Sequence, residues 1–193
     1  VPPCTKCNSV GMNNTAGKEI ALISFMKSVY SGEIILNTKQ IIPPYELDIY
    51  LPELNIAFEF NGDYWHSDKY KSIDYHKMKT DMCIGKGIRL YHIFEHQWDS
   101  KPNIIKSLIL YRINSMKDSI GARQCEIRDI DNNEAESFFD NNNLYGYKDA
   151  EHTIGLYFNG NLVCGISFDI QDERCHIIQY CGILNTVING GLS

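Results

Sequence analysis

No apolar run in this 193-residue sequence exceeds a handful of residues, as in Ile20-Ala21-Leu22-Ile23, so no helix of it is expected to span a bilayer. No basic, apolar, small-residue leader opens it, so secretion is not encoded in these residues. A disulfide framework is missing as well. The seven cysteines (4, 7, 83, 125, 164, 175 and 181) are odd in number and irregularly spaced, which suits a reducing compartment. Low-complexity tracts and internal repeats are absent. With 44% apolar and 22% charged residues, disordered and fibrous classes are excluded and one large or two small cores are affordable. The chain opens on Val1 and breaks off after Asn189-Gly190-Gly191-Leu192-Ser193, so it reads as a fragment of something longer.

Basic excess is lacking too: the net charge is −6, unlike that of a protein built to bind nucleic acid over its whole surface. The charge is unevenly spread, however. Up to residue 120 there are 14 Lys+Arg against 13 Asp+Glu, and beyond it 4 against 11. Lys69, Lys71, Lys77, Lys79, Lys86 and Arg89 cluster in the first part, which can therefore face a polyanion.

Helical spacing of Ile20, Leu22, Ile23, Met26, Val29 and Tyr30 predicts a helix over 16–30, ended by Ser31-Gly32. Two alternating segments follow Pro43-Pro44. They are Glu46–Leu51 and Ile56–Asn61, joined by a Pro52–Asn55 turn into a hairpin. A helix over roughly 69–86 leads to an apolar strand, Ile88–Phe94, which the crossover makes parallel to a hairpin strand. Ser100 caps a last helix with Pro102 in its first turn. A domain boundary is expected near Lys117–Arg123. Beyond it come a short helix, Glu134–Asp140, and a β-meander of Ile154–Phe158, Leu162–Ile170 and Cys175–Cys181, with Asn159-Gly160 as a hairpin signal. The fold class is thus α/β: a mixed sheet flanked by helices, followed by a partial α+β domain.

The chemistry concentrates in the hairpin. If Pro52–Asn55 makes the turn, position 51 pairs with 56 and Asp48 lies directly opposite Glu59. Their Cβ atoms would be about 5 Å apart, and like charges so placed repel. A hard divalent cation offsets that repulsion economically. The alternative is a solvated face where water screens both charges, but Tyr50 and Ala57 share that face and a helix returns over the hairpin. On its helical wheel Glu19 sits within an apolar arc, and so does Lys79 between Tyr75, Met82 and Cys83; His76 flanks the latter. A lone buried acid or lysine reads as a structural ion pair. Two helices and a hairpin each sending a charged residue to one place favour function instead. His66, reached by a short Gly62-containing turn, is positioned either as a general base at the strand's end or as a histidine stacked on Trp65. Cys4-Thr-Lys-Cys7 has metal-ligand spacing but supplies two ligands where zinc needs four. It reads either as half of a zinc knuckle or as two ordinary thiols.

The stretches Tyr45-Glu-Leu-Asp-Ile-Tyr-Leu-Pro52, Asn55-Ile-Ala-Phe-Glu-Phe-Asn-Gly62, Tyr64-Trp-His66, His76-Lys-Met-Lys-Thr80 and Gly87-Ile-Arg-Leu-Tyr-His-Ile-Phe-Glu95 through Trp98 resemble phage-type homing endonucleases. Those enzymes carry the very-short-patch-repair (Vsr-like) nuclease domain, a branch of the restriction-endonuclease-like PD-(D/E)xK superfamily. The resemblance covers roughly residues 15–115, and the expected nuclease domain is 15–118.

The resemblance implies a metal-dependent DNA endonuclease acting on double-stranded DNA, with Mg2+ or Mn2+ as cofactor and no membrane partner. Its setting would be the cytoplasm of a bacterial or phage-infected cell. Glu19 would match the acid on the family's first helix, Asp48 the central metal-binding aspartate and His66 the water-activating histidine. Asp48, Glu59 and the backbone carbonyl of Phe60 would hold the metal. Lys69, Lys71, Lys77, Lys86 and Arg89 would contact the DNA backbone. Asn61 replaces the usual lysine of the (D/E)xK element, Lys79 can supply the missing cation from the next helix, and His76 and Lys79 are the nearest candidates for a fifth catalytic group. Residues 1–14 would be half of a structural-zinc ribbon holding Cys4 and Cys7. Residues 121–193, with Cys125-Glu-Ile-Arg128 and Leu162-Val-Cys-Gly165, look like an accessory domain, acetyltransferase-like in outline, that lacks a Gly-rich pyrophosphate loop and is assigned no catalysis. Double-strand cleavage by a one-site enzyme requires a homodimer or two sequential nicks.

Overall fold

The computed structural model describes the backbone of residues 5–62 and 72–190 and the side chains of 16–62 and 75–190. Two compact units divide the chain, Val1–Pro102 and Asn103–Ser193.

In the first unit, helix α1 (Thr5–Val29) precedes β1 (Ile35–Ile42), β2 (Tyr45–Leu51), β3 (Ile56–Asn61), helix α2 (Ser72–Ile84), β4 (Arg89–Phe94) and the short helix α3 (Glu95–Ser100). The four strands form one sheet in the order β1-β2-β3-β4. Between β2 and β3 a single 3-10 turn, Pro52–Leu54, ends on Asn55 at φ 51°, whose N–H bonds the Pro52 carbonyl at 3.2 Å. Asparagine tolerates this left-handed backbone at little cost, so the turn is tight and the register is fixed. The paired residues are Ile49 with Phe58, Tyr50 with Ala57 and Leu51 with Ile56, as the turn placement requires.

Strand β4 runs parallel to β3, with Ile56 opposite Arg89 and Glu59 opposite His92, and α2 carries the crossover. The last turn of α2 closes with the Ile88 N–H on the Cys83 carbonyl and the Gly87 N–H on Ile84, both 2.9 Å, and Gly87 has φ 73°. This paired closure needs a left-handed residue after the helix, which glycine supplies. All six residues of β3 are buried, and Tyr50 and Ala57 pack with Cys83 and Ile88. The acid-bearing face of the hairpin is therefore largely covered, with Asp48 half-buried and Glu59 buried.

The second unit holds α4 (Pro102–Arg112), β5 (Asp118–Gly121), β6 (Glu126–Asp129), α5 (Asn132–Asn142), β7 (His152–Phe158), β8 (Asn161–Gln171), β9 (Arg174–Gly182) and β10 (Thr186–Asn189). A four-stranded antiparallel sheet, β6-β7-β8-β9, contains the expected meander, and a separate parallel pair joins β5 to β10. Asp131 caps α5 by accepting the Glu134 N–H at 2.9 Å, and Phe138 and Phe139 pack with Ile130, Ala135 and Tyr157.

Several expectations shift. Helix α1 starts at Thr5, so residues expected in a half zinc ribbon are helical from there; Cys4 lies outside the described residues, and the Cys7 side chain does too. The helix predicted over 69–86 is described from Ser72, and α3 intervenes before the Pro102 helix. That helix belongs to the second unit, which places the division at Pro102/Asn103 rather than near Lys117–Arg123. The chain is mixed α/β in class. Among the described residues no helix is long and apolar enough to cross a membrane, and Cys83, Cys125, Cys164, Cys175 and Cys181 are free thiols.

Candidate active site on the central hairpin

Strand pairing stops at Ile49–Phe58, and side chains take over from the ladder at the next position. Asp48 Oδ2 accepts the Phe60 N–H at 2.8 Å, and the Asp48 backbone amide lies where it favours the charged Glu59 carboxylate. The two acids therefore lie on neighbouring strands within electrostatic reach of each other, Asp48 tied to the backbone of the residue after Glu59. Glu59 is 7% exposed and Lys79 only 1%. Lys79 sends its ammonium from α2 to Glu59 Oε1 in a short, buried ion pair, with the Tyr75 ring centroid 5.4 Å from Nζ. The buried lysine read from the helical wheel is thus aimed at the hairpin.

The electrostatics of the pair are strained. Burial, then the neighbouring Glu59 charge, pushes the Asp48 carboxyl up to about 7, against the pull of the Phe60 N–H and the Lys79 ammonium. Burial also raises Glu59, outweighing its bond to Lys79. Glu19 on α1 lies within electrostatic reach. Burial raises its carboxyl, Glu46 adds to the shift, and Glu19 in turn raises Asp48. Its neighbour Lys18 bridges to α3, bonding Glu95 at 2.8 Å and Asp99 at 2.6 Å. Glu46 was not anticipated. Its sequence signal is its position two residues before Asp48, hence on the same strand face.

A second polar group borders the acids. His92, on β4 opposite Glu59, places Nδ1 3.2 Å from Asn61 Nδ2 and Nε2 3.0 Å from Thr80 Oγ1. Burial, then His76 and Lys79, holds its imidazole down to about 4. The rings of His76 and His92 meet edge to face at 5.0 Å, and His76 also touches Phe94 at 6.0 Å. His92 was missed in the sequence because it interrupts an otherwise apolar strand; its only signal is a polar residue beside the acid-bearing strand.

Of the residues singled out by sequence, Glu59 and Lys79 are in direct contact, Asp48 and Glu19 lie within electrostatic reach of them, and the His76 ring touches that of His92. Phe60 contributes its N–H to Asp48. Lys77, Lys86 and Arg89 are exposed. His66, Lys69 and Lys71 lie outside the described residues.

One observation bears on a cation: Glu59 Oε2 is buried with no hydrogen-bond partner among the described residues. A buried anionic oxygen without a donor is costly, and a hard cation satisfies it. The donor set fits Mg2+ or Mn2+, which need only one or two protein carboxylates and complete their shell with water and phosphate. Among the described residues no group of three or more histidine, cysteine or carboxylate side chains is arranged around a metal. Comparison of the chain with protein-family models, curated proteins and solved structures finds no match.

Proposed function

We propose that the chain is a divalent-metal-dependent DNA endonuclease with a restriction-endonuclease-like first unit. The observation carrying this reading is the Asp48–Glu59 pair on neighbouring strands, largely covered, anchored by a buried lysine and retaining a carboxylate oxygen with no partner among the described residues.

Asp48 and Glu59, with the Phe60 carbonyl, would hold Mg2+ or Mn2+. When bound, the ion neutralises charge on a scissile phosphate and acidifies a water. Lys79 keeps Glu59 oriented and adds a fixed positive charge where phosphorane charge develops. His66 is assigned as the base that takes the water proton, and Glu19 supports the acidic shell. Lys77, Lys86 and Arg89, exposed in the first unit, would join Lys69 and Lys71 as phosphate contacts that give affinity without sequence information. Supercoiled plasmid incubated with the protein and Mg2+ is expected to be nicked or linearised, and chelation is expected to stop the reaction. A plasmid left intact in both Mg2+ and Mn2+ overturns the reading.

A DNA-binding module with a decayed nuclease site is the second reading, favoured by Asn61 in place of lysine and by the two-carboxylate donor set. Thermal stability separates the two. A cation that binds only the folded chain raises Tm, whereas a decayed site gives no Mg2+- or Mn2+-linked rise.

The same measurement has a defined pH dependence. The folded Asp48 carboxyl, pushed up to about 7, holds its proton where an unfolded aspartate, with a pKa near 3.9, has released it. Without metal, its contribution to stability is therefore present at low pH and is lost as pH rises through about 7. A cation competes with that proton. The Mg2+-linked rise in Tm is expected to grow between pH 6 and pH 8; a rise independent of pH over that span contradicts the assignment to Asp48.

A further inference from the structure

The hydrogen bonds around His92 have only one consistent polarity. The Thr80 hydroxyl donates to the His76 carbonyl at 2.8 Å, one turn back on α2. Its oxygen is then left to accept from His92 Nε2, 3.0 Å away, so Nε2 carries the ring proton. Nδ1 holds a lone pair and accepts from Asn61 at 3.2 Å. The same Asn61 nitrogen is 3.4 Å from the Glu59 carbonyl, which can only accept, so the amide orientation is determined twice over. Both Asn61 donor directions are thereby taken. Its carbonyl oxygen, Oδ1, has no hydrogen-bond partner among the described residues. It is an acceptor on a 9% exposed residue, two positions along β3 from Glu59 and so on the same strand face.

We propose that Asn61 is a catalytic residue that orients the attacking water through Oδ1, and that His92 and Thr80 are the positioning residues that hold it. This rests on the nuclease reading above and adds to it a role for the residue standing where the family pattern has lysine. Accepting one hydrogen of the water fixes the direction of its lone pair toward phosphorus. The water oxygen forms the new P–O bond as the bond to the leaving sugar oxygen breaks. The other water proton passes to the base, and the leaving oxygen takes a proton from solvent. A lysine at position 61 could not do this, having no acceptor. The Asn61–His92 pairing and the relocation of the cation to Lys79 are thus one arrangement: charge stabilisation comes from α2, and water orientation from β3.

The test uses the full chain with supercoiled plasmid, Mg2+ and variants at both positions, read three ways: cleavage rate, Mg2+-linked Tm shift, and the 15N-resolved tautomer of His92. In the unmodified protein the imidazole is expected as a single neutral tautomer protonated at Nε2. Asn61→Ala is expected to cleave about 10²-fold more slowly, the scale of losing one positioned polar group, while keeping the Mg2+-linked Tm shift. His92→Phe removes both hydrogen bonds and is expected to slow cleavage about tenfold. His92→Gln offers an acceptor and a donor in the same directions and recovers to within about threefold. The His92 pair reads the proposal if Asn61→Ala does not fold. Asn61→Ala cleaving at the unmodified rate overturns the inference and leaves the nuclease reading standing. Loss of the Tm shift together with cleavage in Asn61→Ala also overturns it, because Asn61 then serves the metal shell or the fold. No cleavage and no Tm shift in the unmodified protein removes the nuclease reading, and this inference with it.

Discussion

Lys79→Ala is expected to destabilise the first unit by about 3–5 kcal/mol, the scale measured when one partner of a buried ion pair is removed. The ammonium is 1% exposed and is the donor to Glu59 Oε1; the other carboxylate oxygen already lacks a partner among the described residues. Removing the lysine leaves a buried carboxylate with neither oxygen satisfied by α2, beside Asp48. Glu59 would then take up a proton, which caps the loss. Adding Glu59→Gln to Lys79→Ala removes the orphaned charge, so the double variant is expected to be more stable than Lys79→Ala alone. Urea unfolding of both singles and the double at pH 7 gives the coupling directly, and a value of about 1–3 kcal/mol is expected. Additive single effects would mean that the pair contributes only packing.

Asp48→Asn should separate function from stability by moving them in opposite directions. Asparagine keeps an oxygen for the Phe60 N–H, 2.8 Å away in the native chain, so the local fold is retained. It removes one of two facing charges, so metal-free stability at pH 8 is expected to rise. On the proposed function, metal-dependent plasmid cleavage is expected to fall about 10³-fold or more, because the ion would supply charge stabilisation and water activation together. A purely structural aspartate would show the reverse: lower stability and unchanged cleavage. Calorimetric unfolding and single-turnover cleavage on one preparation distinguish these outcomes.

The hairpin and its crossover were legible because their signals are local. Pro52 and Asn55 set the turn, the turn sets the register, and Gly87 marks the end of the returning helix. Lys79 was legible because an apolar helical arc with one charge in it has to bury that charge. Strand β1 was not. Its sequence, Ile-Leu-Asn-Thr-Lys-Gln-Ile-Ile, lacks alternation, and Asn37 at φ 50° breaks the extended run. The β5–β10 pair is held by residues Asp118–Gly121 against Thr186–Asn189, a parallel contact between distant segments that leaves no local trace. Pro102 was read as part of a helix that closes the first unit; Lys101 leaves helical geometry after α3, and the helix that follows belongs from Asn103 on to the second unit. At the site, Glu46 and His92 were overlooked for a common reason. Each is a single polar residue in a strand, and its importance depends on which strand lies beside it.

Under the proposed function, Asp48 and Glu59 grip one divalent ion between them. Calorimetric titration of Mn2+ into the metal-free chain at pH 8 is expected to show one ion bound, and no binding in Asp48→Asn or Glu59→Gln. A chain that takes up no ion, or variants that retain the unmodified affinity, would contradict it.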